Sequence, residues 1–412
     1  MAKPGEAYLD IVWKQFKKNR FALAALWALV PLAVLALFAP LIASNQPFVY
    51  FDGDEVLFPW FLALFNPRGM VDFVFNMAMV ALVPWAVLSV VLSAGWRRRD
   101  VPGRVRVLRG AGLLGAMVAA TTLLFTLPGV APSNPYRHRA FVQEEFRDPD
   151  ARGFYTLVPY GPRDHERGSA FQPPLYRKPP TERHRASEWF PHLLGTDDVG
   201  RDVFVRMLYG TRISLTIGFL AVGIYLSIGV IVGALAGYFG GATDILISRL
   251  IEVILLFPAF FLILILVAML GPSIYIIMVV IGLTGWPGIA RLTRGEVLKQ
   301  RGNDYVAAAR ALGASHPRVL FRHILPNALA PALVAAPFGV ASAIVVEAGL
   351  SLLGFGVRPP IPTWGILLRL GSSNYNYWWL IVVPSIAIFF TVTVFNLVGS
   401  GLRDAMDPRL RM

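Results

Sequence analysis

The chain contains no cysteine, which excludes disulfides, thiolate zinc sites and cysteine nucleophiles. Charge is scarce as well: 15% of the 412 residues are Asp, Glu, Lys or Arg, against about 25% in an average soluble domain. With 56% hydrophobic residues, that scarcity excludes an ordinary cytosolic enzyme and a disordered chain. The six lysines are Lys3, Lys14, Lys17, Lys18, Lys178 and Lys299. None follows Gly or precedes Ser or Thr, so the chain lacks the G-x-x-x-x-G-K-[ST] phosphate loop and is not an ATP motor by that motif. Paired carboxylates, a nucleophile motif and metal-ligand spacing are also missing, which leaves a membrane-enzyme reading without support.

What is present is a series of long apolar runs. About 20 apolar residues cross a bilayer core as a helix, and only a helix satisfies its own backbone there. Eight segments qualify or nearly do: about 22–43, 73–95, 111–130, 213–236, 250–270, 273–290, 328–350 and 378–398. The sixth is expected to be weakest, because Gly285, Trp286, Pro287 and Gly288 interrupt it, and Pro258 is expected to kink the fifth.

The formal charge of +13 is concentrated in alternate loops. The first twenty residues carry five cations, residues 96–110 six, residues 291–327 seven, and the tail Arg403, Arg409 and Arg411. The loop 44–72 instead shows Asp52, Asp54, Glu55 and Asp72 against Arg68. This excess reads as membrane topology and not as nucleic-acid binding, with both termini cytoplasmic and an even number of spans. Residues 1–20 are expected to form an amphipathic cytoplasmic helix, since Leu9, Val12, Trp13 and Phe16 recur at helical spacing. Lying on the headgroups and packing on the first span are both open for it.

Two polar stretches remain. Residues 131–211 are rich in proline, with twelve cations against eleven acids, and read as an outer segment of turns and extended chain. Its histidines, His138, His165, His184 and His192, are expected to be solvated loop residues. The loop 291–327 reads as a compact helix–turn–helix elbow. Asp304 is placed to cap a short helix built from Ala307, Ala308, Ala309 and Ala311, Gly313 to end it, Pro317 to start the next and Pro326 to mark the return to the membrane. Small side chains on such a helix permit close approach to a cleft on another protein, and thirty-seven residues is long for a mere connector.

At this elbow the sequence resembles the permease subunits of bacterial ABC importers, whose loop reads E-A-A-x-x-x-G, nine residues, I-x-L-P. Ala307, Ala308, Ala309 and Gly313 occupy the first part, and Leu325 and Pro326 the end. Ala307 stands at the Glu position and His323 at the Ile position; RHILPNALAP is similar to the dipeptide and oligopeptide branch. HLLGTDDVGRDVFVRMLYGTRISLTIG from His192, RLIEVILLFPAFFLIL from Arg249, VEAGLSLLGFGVRPPIPTWGILL from Val346 and GLRDAMDPRLR from Gly401 extend the likeness, with Glu252 where an Asp is common.

The resemblance implies an all-α polytopic membrane protein with the type I ABC importer transmembrane fold, about eight helices, two of them extra. It divides the chain into residues 1–20, the amphipathic helix; 21–43, the first span; 44–191, an insertion with two extra spans and an external segment; and 192–412, the core permease domain. The implied function is that of a peptide importer's permease in the bacterial cytoplasmic (inner) membrane. Its implied partners are a second homologous permease as heterodimer, two ATPase subunits that hold ATP and Mg, an extracytoplasmic peptide-binding protein and membrane lipid; no cofactor belongs to this chain. Coupling to the ATPases is carried over to Tyr305, Ala307, Ala308, Ala309, Gly313, Ala314, Leu325 and Pro326. A permease for nickel or another small solute is the alternative within the class, and an energy-independent channel or scaffold the alternative from another class.

Glu347 and Ser351, toward the outer end of the seventh span, are candidates for the translocation path or gate, because a charge deep in lipid costs about 2.5–3.5 kcal/mol and must face protein or water. A contact to a neighbouring helix is the other reading of Glu347. Tyr209, Arg201 and Arg212 lie where the outer segment meets the fourth span, where a binding-protein dock and a gate are both open.

Overall fold

The computed structural model describes residues 8–67, 69–98, 102–126, 134–136, 139, 141, 152–166, 168–177 and 190–407. Among the described residues, seven helices are long and apolar enough to cross a membrane, and a bent pair makes up to eight. The expected count and helical class therefore stand. The chain forms two compact units, residues 33–212 and residues 1–32 with 213–412.

The second of these begins with α1 (Tyr8–Phe16) and the start of α2 (Arg20–Leu37). Val12 and Phe16 of α1 are buried against Ala22, Leu402, Ala405 and Met406. Val12 and Phe16 thus pack on protein, on the last helix as well as the first span, while Trp13 is exposed, and Asn19 accepts from Ala22 N at 3.1 Å to cap α2.

In the first unit, α3 (Pro59–Phe65), α4 (Met70–Arg98) and α5 (Gly103–Thr126) follow, the last two covering the second and third apolar runs of the sequence. A small sheet that the sequence did not announce joins β1 (Val49–Asp52), β2 (Glu55–Leu57) and β3 (Arg152–Phe154) in the order β2-β1-β3, antiparallel, with Tyr50 opposite Leu57 and Val49 opposite Phe154. One sheet face is filled by Tyr50, Tyr155 and Phe141. Helix α6 (Val203–Phe239) starts in this unit and continues into the other.

Beyond residue 213 come α7 (Gly241–Leu255), α8 (Ala259–Leu270), α9 (Ile274–Arg301), α10 (Asp304–Ala311), α11 (Ala330–Leu352), α12 (Trp364–Ser372) and α13 (Trp379–Met406). The expected kink at Pro258 is a full break: α7 and α8 meet at 81° across Leu256–Pro258. The expected weakness of the sixth span is corrected, since α9 runs unbroken through Pro287. Packing overrides the local signal there, because Trp286 and Pro287 are buried and the α9 backbone lies close against α6. A Cβ on Gly237 would stand 2.7 Å from the Arg294 carbonyl and one on Gly229 2.6 Å from Ile289 Cβ, and Gly233 has no room beside the Ala290 carbonyl. Small residues at a four-residue period admit such an approach where lipid supplies no hydrophobic drive.

Candidate functional site: the elbow between α9 and α11

The elbow is held by one face. Val306, Val319, Leu320, Ile324 and Ala328 are buried together with Ala234 and Tyr238 of α6 and Val297 of α9. The Tyr238 hydroxyl and His316 Nδ1 are hydrogen-bonded at 2.8 Å, and the Arg310 guanidinium sits 5.4 Å from the Tyr238 ring centre. The Arg294 guanidinium pairs with the Asp244 carboxylate of α7, with Nη2 2.7 Å from Oδ2.

Helix α10 ends as the sequence predicts. Gly313 has φ +78°, Ala314 N donates to the Ala309 carbonyl at 3.1 Å, and Gly313 N donates to the Arg310 carbonyl at 2.9 Å. This pair of bonds is a Schellman cap, and Ala309 and Ala314 supply its apolar contact by packing on the buried cluster. The start of α10 differs from expectation. The capping position is Asn303, which makes no side-chain cap, and Asp304 opens the helix as an acid in its first turn, favourable to the helix dipole. Pro317 occupies the first turn of the short helix from His316, as expected.

From Val319 to Ile324 the backbone winds as a π-helix, with Leu325 N returning to the Leu320 carbonyl. Pro326 has no N–H to return to the Arg322 carbonyl and its ring crowds that group, so a wider turn just before it relieves the clash.

The other face is open. Ala307, Ala308, Gly313 and Pro326 are exposed, Tyr305 is 38% and Leu312 88% exposed, and Ala309, Ala314 and Leu325 are half-buried at the seam. The structure therefore brings all eight of these residues into one elbow and presents four of them, with Tyr305, on its free side.

Glu347 and Ser351 lie together on α11, the Ser351 hydroxyl donating to Glu347 Oε1 at 2.7 Å. Both are buried, and Glu347 Oε2 has no partner among the described residues.

The region where the outer segment meets α6 corrects one expectation. His192 is not a solvated loop residue: it is 2% exposed, its Nδ1 lies 2.7 Å from Asp202 Oδ2 and its Nε2 3.4 Å from Glu166 Oε2, and it stacks on Tyr160 at 4.6 Å. Burial works to lower the imidazolium pKa, but the hydrogen bonds to Asp202 and Glu166 outweigh it and raise the pKa to about 9. Burial, with the Glu166 and Asp202 charges, pushes the Tyr160 phenol up. The other oxygen of Asp202 accepts from Val205 N at 2.8 Å and caps α6. His165 is exposed, as expected; His138 and His184 lie outside the described residues. Among the described residues no three His, Asp or Glu form a metal-ligand group.

Tyr209, Arg201 and Arg212, left open as dock or gate, are buried. Arg201 Nε donates to Asp197 Oδ2 at 2.7 Å. Arg212 donates from Nε to the Ala36 carbonyl at 2.6 Å, from Nη2 to the Leu37 carbonyl at 3.1 Å, and from Nη1 to Asp72 at 3.2 Å and Asn76 at 3.1 Å. It caps the end of α2 and ties it to α4, a role without local sequence signal.

Residues 229–412 match the model of the binding-protein-dependent transport system inner membrane component, and residues 7–59 that of the N-terminal transmembrane domain of oligopeptide transport permease C. The oligopeptide transport system permease protein OppC of Bacillus subtilis is 41% identical over 235 residues, 57% of this chain and 74% of that protein. The dipeptide transport system permease protein DppC of Escherichia coli K12 is 43% identical over 256 residues, 62% of this chain and 83% of that protein. A solved methionine ABC transporter in an inward-facing conformation covers 48% of this chain and 95% of its own at 16% identity, with a TM-score of 0.41. By its relatives at 41% and 43% identity, each covered to more than two thirds, the chain belongs to the inner-membrane permeases of binding-protein-dependent transport, in the dipeptide and oligopeptide branch, and is a bacterial transport subunit whose ATP hydrolysis belongs to separate ATPase subunits.

Proposed function

We propose that this chain is one half of the translocation pathway of an ATP-driven peptide importer with the type I fold, paired with a second homologous permease, fed by an extracytoplasmic peptide-binding protein and driven by two ATPases that hold ATP and Mg2+. Four relatives support the solute class by name: oligopeptide, dipeptide, di/tripeptide and glutathione permeases. The cation-rich loops, the elbow among them, support cytoplasmic termini and a cytoplasmic elbow.

The observation that carries the coupling role is the two-sidedness of the elbow. One face is locked to α6 and α9, so motion imposed on α10 is transmitted to two spans; the free face offers small side chains and Leu312 to a cleft. Glu347 and Ser351 are assigned to the outer gate as a hydrogen-bonded pair inside α11, where a rearranged helix contact would open the path.

The test is Gly313→Leu in the assembled complex in vesicles. A Cβ at Gly313 meets nothing of this chain within 4 Å, so within the chain the variant strains only the left-handed backbone, at about 1–2 kcal/mol, while its side chain stands on the face offered to the ATPase. Expected are normal insertion and loss of solute-stimulated ATP hydrolysis; unchanged stimulation overturns the coupling role.

A further inference from the structure

The 44–191 stretch supplies most of a polar cavity whose walls all lie in the 33–212 unit, and we infer that this cavity binds a primary ammonium group of the transported peptide or of its delivering protein. It has a volume of about 150 Å3 and is lined by Asn45, Gln46, Asp72 and Asp164 from that stretch and by Arg212 of α6, with Trp60 and Ala63 of α3 as its apolar wall.

The lining favours a cation. Asp72 Oδ1 accepts from Arg212 Nη1, whereas its Oδ2 has no partner among the described residues and the side chain is 27% exposed. Asp164 is fixed on another wall, Oδ1 accepting from Asn45 Nδ2 at 2.9 Å and Oδ2 from Gly161 N at 2.9 Å. Gln46 is buried, and its side-chain oxygen lacks a partner among the described residues. Two guanidinium groups are also present. Those of Arg163 and Arg212 balance the two carboxylates, and the donors of Arg212 already serve Ala36, Leu37, Asp72 and Asn76. The buried side-chain atom of the wall that lacks a partner among the described residues is an acceptor, Gln46 Oε1, and an N–H3 group supplies the donor it needs.

Size narrows the ligand further. A cavity near 150 Å3 holds a molecule such as benzene, so it takes the amino-terminal residue of a peptide or a lysine side chain and not a whole peptide. Identification of the ammonium group as part of a peptide rests on the importer reading; the cavity's preference for ammonium does not. Its two sources are the solute itself and a lysine of the peptide-binding protein.

The experiment titrates the assembled complex in nanodiscs with n-butylammonium, and in parallel with n-butanol, following thermal stability. Expected is saturable stabilisation by butylammonium alone. Its midpoint concentration should rise about tenfold in Asp72→Asn, from loss of one charge-assisted hydrogen bond, and the response should vanish in Ala63→Leu, which fills the cavity without touching a charge. The unliganded melting of each variant shows whether it is folded. Displacement by alanyl-alanine but not by its N-acetylated form assigns the solute as source; displacement by the binding protein alone assigns its lysine; both support the site. Absence of stabilisation, an equal butanol effect, or an undiminished response in folded Ala63→Leu overturns it. Solute-stimulated ATP hydrolysis in the same preparation reports separately on the importer reading.

Discussion

Tyr238 near the end of α6 and His316 in the elbow are hydrogen-bonded at 2.8 Å across 78 residues of sequence. The bond fastens the loop to a span that the loop does not directly continue. Tyr238→Phe keeps the ring under Arg310 and removes only the hydroxyl, at about 1 kcal/mol. The expected result is faster amide exchange over residues 312–318 and weaker coupling of ATP hydrolysis to solute, with insertion unchanged.

The α6–α9 contact depends on absent side chains. Gly233→Leu forces a branched chain against the Ala290 carbonyl, an overpacking that costs about 1–3 kcal/mol. Thermal unfolding of the purified chain should fall accordingly, and a double Gly229→Ala, Gly237→Ala variant should fall in the same direction.

Arg212 is irreplaceable by charge alone. Arg212→Lys keeps one positive charge but loses the fork that reaches Ala36, Leu37, Asp72 and Asn76 together, and Arg212→Met leaves Asp72 without its cation. Asp72 is partly exposed, so the main loss is the donors to the α2 carbonyls, at about 1–3 kcal/mol for each group left unsatisfied; the methionine variant should be the less stable in thermal unfolding, with the lysine variant between it and the native chain.

His192 predicts a pH dependence with a definite sign. Its folded pKa, raised to about 9, lies above the unfolded value of about 6.5. The stabilisation is therefore fully present below about pH 6.5 and is lost as pH rises through 9. Proteolysis or amide exchange over residues 160–202 should accelerate across that range, and His192→Gln should flatten the profile while lowering protection at pH 6.

Much of this was legible in sequence. Apolar length and cation placement give the spans, and the alanine run ended by Gly313 gives α10, because capping is a local affair of five or six residues. What escaped is long-range. Arg212 and Ala36 are 176 residues apart, and neither carries a mark of the other; His192 looks like a loop histidine until Glu166, Tyr160 and Asp202 close around it. Pro287 misled for the same reason: the local signal for a break is overridden by packing against α6, whereas Pro258, on a mostly exposed stretch, breaks its helix by 81°. Asp304 missed its capping place by one residue, within the ordinary uncertainty of a helix end.

The central claim is that the free face of α10 meets the ATPase. Because the chain has no cysteine, Ala308→Cys gives it a single thiol, and a short maleimide–diazirine reagent attached to that thiol and photoactivated inserts into whatever lies beside it in the assembled complex. The account predicts a crosslink from residue 308 to an ATPase subunit, its yield changing with ATP, and none to that subunit from Leu157→Cys in the outer segment. A complex that hydrolyses ATP yet gives no crosslink from residue 308, or gives it equally from residue 157, would contradict it.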